Sequence, residues 1–192
     1  MSFSVKADFF CMFKTGDNIN YNLDILTYFY ELYNKEGNLK KELLLKPIII
    51  TNISIIEAVL YDFYKRMNAN VNEGVSNITD DILSDVRSKH IDKFAKYIDS
   101  AKKHDLFDIS HTNFYKKLHD LKSIRNRIHI QNEKFEPPQN EAFVFDEKAK
   151  ELSEKCLEFV VKTMDKKYKR PSYLHGNVDD MNFPWGEKFS NM

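Results

Sequence analysis

Ser123-Ile124-Arg125-Asn126-Arg127-Ile128-His129-Ile130 is the stretch from which the fold of this chain reads most directly. Carried back to Thr112, the apolar positions Phe114, Leu118, Leu121, Ile124 and Ile128 recur at intervals of three and four, the period of one helix face. The pattern predicts an amphipathic helix from about His111 to Ile130. At about 100° per residue, Arg125 and His129 fall on one flank of that helix, at the edge of its apolar side. Lys122, Asn126 and His119 continue a polar stripe away from that edge, and Arg127 points to the opposite side. An arginine at such a boundary needs an acceptor or water, because an unpaired buried charge is costly.

Working outward, upstream of this helix Pro47 is suited to the first turn of a long helix running to about Met67, with Leu39–Lys46 as a short helix before it. Ile49, Ile53, Ile56, Leu60, Phe63 and Met67 share one face. The β-branched run Ile48–Ile53 also fits a strand, but the helical repeat through Met67 favours helix. Glu57 flanks this face. It is either a half-exposed glutamate or the acceptor that orients Arg125. Earlier still, Asn22 is suited to cap a helix to about Asn34 with Leu23, Leu26, Phe29, Tyr30 and Tyr33 inward, and Gly37 stops it. Phe9, Phe10, Met12 and Phe13 fit a strand or a turn of helix, and both readings stay open.

Downstream of Met67, residues 68–79 read as a polar loop, and Thr79 or Asp80 caps a helix to about His104. Val86, His90, Phe94, Tyr97 and Ile98 form its inner side. Ser110 is suited to cap the central helix. Pro137 and Pro138 fix a loop after it. Asp146 caps a last helix to about Lys167, with Leu152, Cys156, Phe159, Val160 and Thr163 inward, and Pro171 marks its end.

The expected architecture is therefore an all-α, up-and-down bundle of about five helices with irregular N- and C-terminal segments. Residues 1–170 read as one domain with residues 1–21 packed on it, and residues 171–192, which hold the only tryptophan, Trp185, as a tail. The length of 192 residues suits one core. Five glycines and five prolines are few, which favours long helices over many tight turns. Net charge is zero and the pI about 7.0, so no global field draws in nucleic acid and any RNA contact is local. Cys11 and Cys156 form no metal or redox motif and read as free thiols of a reducing compartment. Without an apolar leader or a long apolar run, the expectation is a cytosolic protein off the membrane.

No cofactor or metal is expected. His90, His104, His111, His119 and His175 lack metal-ligand spacing, and there is no Gly-rich phosphate loop, Ser–His–Asp arrangement or CxxC. The basic end Lys166, Lys167, Lys169 and Arg170 reads as a solvated helix terminus favoured by the dipole, or as an RNA-backbone contact.

A late helix ending in Leu121-Lys122-Ser123-Ile124-Arg125-Asn126-Arg127-Ile128-His129-Ile130, then a proline loop, then Phe145-Asp146-Glu147-Lys148-Ala149-Lys150-Glu151-Leu152, resembles a HEPN domain. Ile56-Glu57-Ala58-Val59-Leu60-Tyr61-Asp62-Phe63 is similar to an earlier helix of that superfamily, and the resemblance spans about residues 22–168. It implies a HEPN-like bundle. It also implies a metal-independent endoribonuclease, a toxin or phage-defence effector, working as a homodimer with the motif helices of two protomers facing across an RNA cleft.

The family signature is an arginine, four to six residues, then a histidine, often with a polar residue after the arginine. Arg125, Asn126 and His129 match it, with three intervening residues instead of four to six. Lys122 has six residues before His129 but is not an arginine. In the implied chemistry the RNA 2′-OH is the nucleophile. His129 moves a proton, Arg125 holds the phosphate, and Asn126 fixes the scissile group or the imidazole. Lys122, Glu57 and His119 are candidate binding or supporting residues. Other branches of the superfamily are inactive and serve in nucleotide binding, interaction or antitoxin pairing. The alternative is therefore a non-catalytic helical interaction or regulatory module with an antitoxin or other protein partner.

Overall fold

The apolar repeat around Pro47 becomes the axis of the molecule. The computed structural model describes residues 2–69, 75–129 and 140–188, and over these the chain is an all-α bundle with one small strand pair. Helix α1 (Phe13–Lys35) and helix α2 (Asn38–Asn68) are joined through Glu36 and Gly37 as an antiparallel hairpin. Ile49, Ile53, Ile56, Leu60, Phe63 and Met67 of α2 are all fully buried, as their shared face predicts. Helices α3 (Asp80–Arg87) and α4 (Phe94–Lys103) close the far end of α2. There Arg87 donates to the Met67 and Ala69 carbonyls at 2.8 Å each, using donors where a helix end leaves acceptors open. Helix α5 (Phe114–Arg125), the short α6 (Glu141–Val144) and α7 (Glu147–Lys167) complete seven α-helices among the described residues. Asp146 caps α7, accepting from the Ala149 amide at 2.7 Å.

The long α2 was expected as two helices and is one. Pro47 lies inside it, beside its exposed N-terminal part, where the carbonyl that loses its partner can be hydrated. Conversely, the single helix expected from Thr79 to His104 is split between α3 and α4, and His90 is exposed rather than inward. Helix α1 begins nine residues before Asn22. Asn22 is mid-helix and donates its side-chain amide to the Asn18 carbonyl at 2.8 Å. Ser110 does not cap α5, whose cap position is Asn113, with the Thr112 hydroxyl accepting from the Phe114 amide at 3.2 Å. The turn before it takes Asp105 and Asp108 into the left-handed region at φ 44° and 54°, where Asp is better tolerated than most residues. The loop with Pro137 and Pro138 and part of the polar loop after Met67 lie outside the described residues.

The two chain ends meet. Strand β1 (Phe3–Val5) pairs antiparallel with β2 (Met181–Phe183), Phe3 opposite Phe183, and those two rings stack with centroids 4.6 Å apart. Trp185 is only 4% exposed and packs on Tyr30 at 5.4 Å. Within the stretch read from sequence as a tail, Met181, Phe183 and Trp185 are thus buried in the core. Lys188 anchors them to α7 through Glu154, and its amide donates to Glu158 at 2.9 Å; both carboxylates are fully buried. Gly16 of α1 permits the approach, since a Cβ there would meet Val178 at 2.5 Å.

Candidate functional site

Arg125 is the last residue of α5. Its guanidinium pairs with Glu57 of α2 and donates to the Asn126 side-chain oxygen at 3.5 Å, a long bond. The pair sits at the surface edge of the core, with side chains 36% and 24% exposed. Burial raises the Glu57 carboxyl above its ordinary range, and Arg125 pulls it back only in part. Glu57, Arg125 and Asn126 therefore form one cluster, with guanidinium edges left toward solvent.

His129 does not join it in the expected way. After Arg125 the chain tightens to a 3₁₀ turn over Asn126–Ile128, and His129 is extended at φ −84° and ψ 105°. A 3₁₀ turn advances the side chains by about 120° per residue, so the i, i+4 stacking of His129 on Arg125 is lost. Ile128, expected on the apolar side, is 50% exposed, and His129 is exposed. Ile130, taken as the helix end, lies outside the described residues. His119 turns to a different neighbour, Asp99 of α4, at 2.9 Å. Lys122 is partly exposed on the last turn of α5. Among the described residues no group of three His, Cys, Asp or Glu could hold a metal ion. Burial pushes the Cys156 thiol up to about 12, so it is no nucleophile at neutral pH. Neither Cys11 nor Cys156 is in a disulfide.

Compared with known proteins, the chain matches no family model, no curated protein and no solved structure. The site therefore stands on its own geometry.

A second polar cluster escaped the sequence reading. Asp85 of α3 accepts from Lys89 at 2.7 Å, Lys103 at 2.9 Å and His104 at 2.8 Å. Hydrogen bonds from Lys89, Lys103 and His104 hold its carboxyl well below the usual range. The Asp85–Lys89 spacing of four was visible in sequence, whereas Lys103 and His104 arrive through the turn between α3 and α4.

Proposed function

We propose that the chain is a metal-independent endoribonuclease of HEPN type, acting in the cytosol as a homodimer, with Arg125, Asn126 and His129 at its reaction centre. The observation that carries this reading is the half-exposed Arg125, held by Glu57 and flanked by Asn126, with an exposed histidine four residues further on. A guanidinium fixed by one carboxylate, held besides only by a long bond to Asn126 among the bonds described above, and 36% exposed suits a phosphate. Exposed Ile128 beside it suits a protein–protein contact at the same surface.

In the reaction one His129 takes the proton of the RNA 2′-OH, and the 2′-oxygen attacks the adjacent phosphorus. The bond to the 5′-oxygen breaks, and the partner's His129, starting protonated, gives that oxygen its proton. Arg125 stabilises the added negative charge on the phosphorane. The products are a 2′,3′-cyclic phosphate and a 5′-hydroxyl. The test is incubation of the purified protein with total RNA in the presence of a chelator. Cleavage is expected to persist, to yield cyclic phosphate ends, and to fall by about 10²-fold or more in His129→Ala. Lys122→Ala reports on spacing: a mild effect leaves the phosphate role with Arg125, and a severe one gives it to Lys122. Cleavage that survives His129→Ala sinks the mechanism.

One observation favours a second reading. Glu57 neutralises Arg125, and the helix breaks before His129. That arrangement also suits a non-catalytic helical module, the partner or regulatory subunit of a toxin–antitoxin or defence system, and RNA left intact by the wild-type protein would select it.

A further inference from the structure

Helix α2 carries one row of side chains past Glu57. Tyr61 follows Glu57 by one turn, about 6 Å along the axis and about 40° around it. Tyr64 and Asn68 fall within about 20° of the Glu57 direction, and Lys65 borders them. Arg125, paired with Glu57, therefore stands at one end of a row that runs toward the C-terminus of α2. Helix α4 walls that row. The Tyr97 ring stacks on Tyr64 with centroids 5.1 Å apart, and the Tyr64 hydroxyl donates to the Tyr97 carbonyl at 2.9 Å. Burial pushes the Tyr97 phenol up, and Tyr61 and Glu57 push it further, so the phenol lies within electrostatic reach of the row. The turn between α3 and α4 adds His90. Tyr61, Tyr64, Lys65, Asn68, His90 and Tyr97 help line a pocket of about 280 Å³, near the small end of the usual range for ligand sites.

The fold uses only part of this lining. Tyr64 and Tyr97 are 1% and 4% exposed and serve the core. His90 pairs with Asp92 at 2.9 Å, and Lys89 is held by Asp85 at 2.7 Å. Among the described residues, the Tyr61 hydroxyl, the Lys65 ammonium and the Asn68 side chain make no hydrogen bond or ion pair. Lys65 instead rests over the half-buried Tyr61 ring at 5.3 Å. A ring face, a cation and an amide are thus left over beside a guanidinium. Their order selects the occupant. A cation at Arg125, an aromatic surface at Tyr61 and a second cation at Lys65 match phosphate, base and phosphate along one strand. An inorganic anion would use a cation and leave the ring, and an uncharged flat ligand would use the ring and leave both cations. A duplex keeps its bases stacked inside and offers none to a recess of this kind. We propose that this pocket takes an unpaired nucleobase of the RNA strand whose scissile phosphate sits at Arg125, the base stacking on Tyr61, with Asn68 at its polar edge and Lys65 at the next phosphate. The subsite rests on the ribonuclease reading for that phosphate, and it makes an unpaired nucleotide beside the cut a requirement of the substrate.

The probe is a 2′-O-methylated oligoribonucleotide of about eight nucleotides, within the size of single-strand sites, carrying 2-aminopurine at successive positions. It has no free 2′-OH, so binding to the full chain is read without cleavage. The single strand is expected to bind, and one 2-aminopurine to lose fluorescence as it stacks. Tyr61→Ala should raise the dissociation constant about tenfold. Tyr61→Phe should leave it near the wild-type value, because the ring and not the hydroxyl carries the stack. Lys65→Ala should lower the slope of log affinity against log salt by about 0.7, the share of one single-strand phosphate. Lys65 is exposed, so that variant keeps the test standing if Tyr61→Ala is destabilised. Absence of binding overturns the subsite. So does binding indifferent to both variants, or equal binding of the annealed duplex or of a nucleoside monophosphate. The two readings fail separately: Tyr61-dependent binding of RNA that the protein leaves intact keeps the pocket and removes the nuclease, whereas cleavage unaltered by Tyr61→Ala keeps the nuclease and removes the pocket.

Discussion

Asp62 and Arg66 lie one turn apart on α2 with side chains 1% and 2% exposed, whereas Glu57, five residues earlier on the same helix, meets Arg125 with 24% and 36% exposure. The buried pair serves the chain itself. Asp62 accepts from the Cys11 and Met12 amides at 3.0 and 2.9 Å, where α1 begins, and Arg66 donates to the Tyr168 carbonyl at 2.8 Å, where α7 ends. Arg170 donates to the Phe10 carbonyl at 3.0 Å and draws the two ends of the chain closer. Burial pulls the Arg66 pKa down to about 10, against Asp62, so the guanidinium stays charged at neutral pH. The Glu57–Arg125 pair ties two helices but leaves its cation open to a ligand. Two pairs of the same chemistry on one helix are thus separated by enclosure: the enclosed one knots the fold, and the open one is the candidate site.

The largest test of this contrast is Asp62→Ala. It removes the carboxylate beside a buried arginine and the acceptor of two amides at the start of α1, and should cost about 3–5 kcal/mol by denaturant titration. A loss near that of a surface pair would erase the distinction. Next comes Arg125→Ala, expected to lower RNA cleavage by about 10²-fold, with melting shifted far less than by Asp62→Ala. Glu57→Ala should cost about 1 kcal/mol, since a partly exposed pair is worth little more. A loss as large as that of Asp62→Ala would move Glu57 into the structural class.

The smallest effect is in pH. Folding raises the Glu57 carboxyl above its unfolded value, so the folded state holds the proton more tightly. Its contribution to stability is full below the ordinary glutamate value and is lost as pH rises through the raised one. Glu57→Gln should flatten the stability profile in that weakly acidic window. An unchanged profile would mean that burial at Glu57 is too slight to matter.

Much of this was legible in the residues. The three-and-four repeats of α2 place six side chains in the core because a helix long enough to bury one face must repeat that way. The Asp146 cap is local chemistry, and so it reads from local sequence. The meeting of Glu57 and Arg125 was legible as a pairing of two charges flanking apolar faces.

What only the tertiary structure decided is whether a given apolar or charged residue is covered. Leu39 and Leu43 continue the same stripe as buried Ile53, and no local pattern says that α5 stops short of them. Trp185 enters the core through Phe3 and Tyr30, more than 150 positions away, and three-residue strands are too short to show a period. The α-to-3₁₀ change at Asn126, which takes His129 off the flank of Arg125, is a choice between hydrogen-bond patterns of nearly equal local cost. Periodicity reports which side of an element is apolar; the contacts of distant elements settle which part of that side meets water.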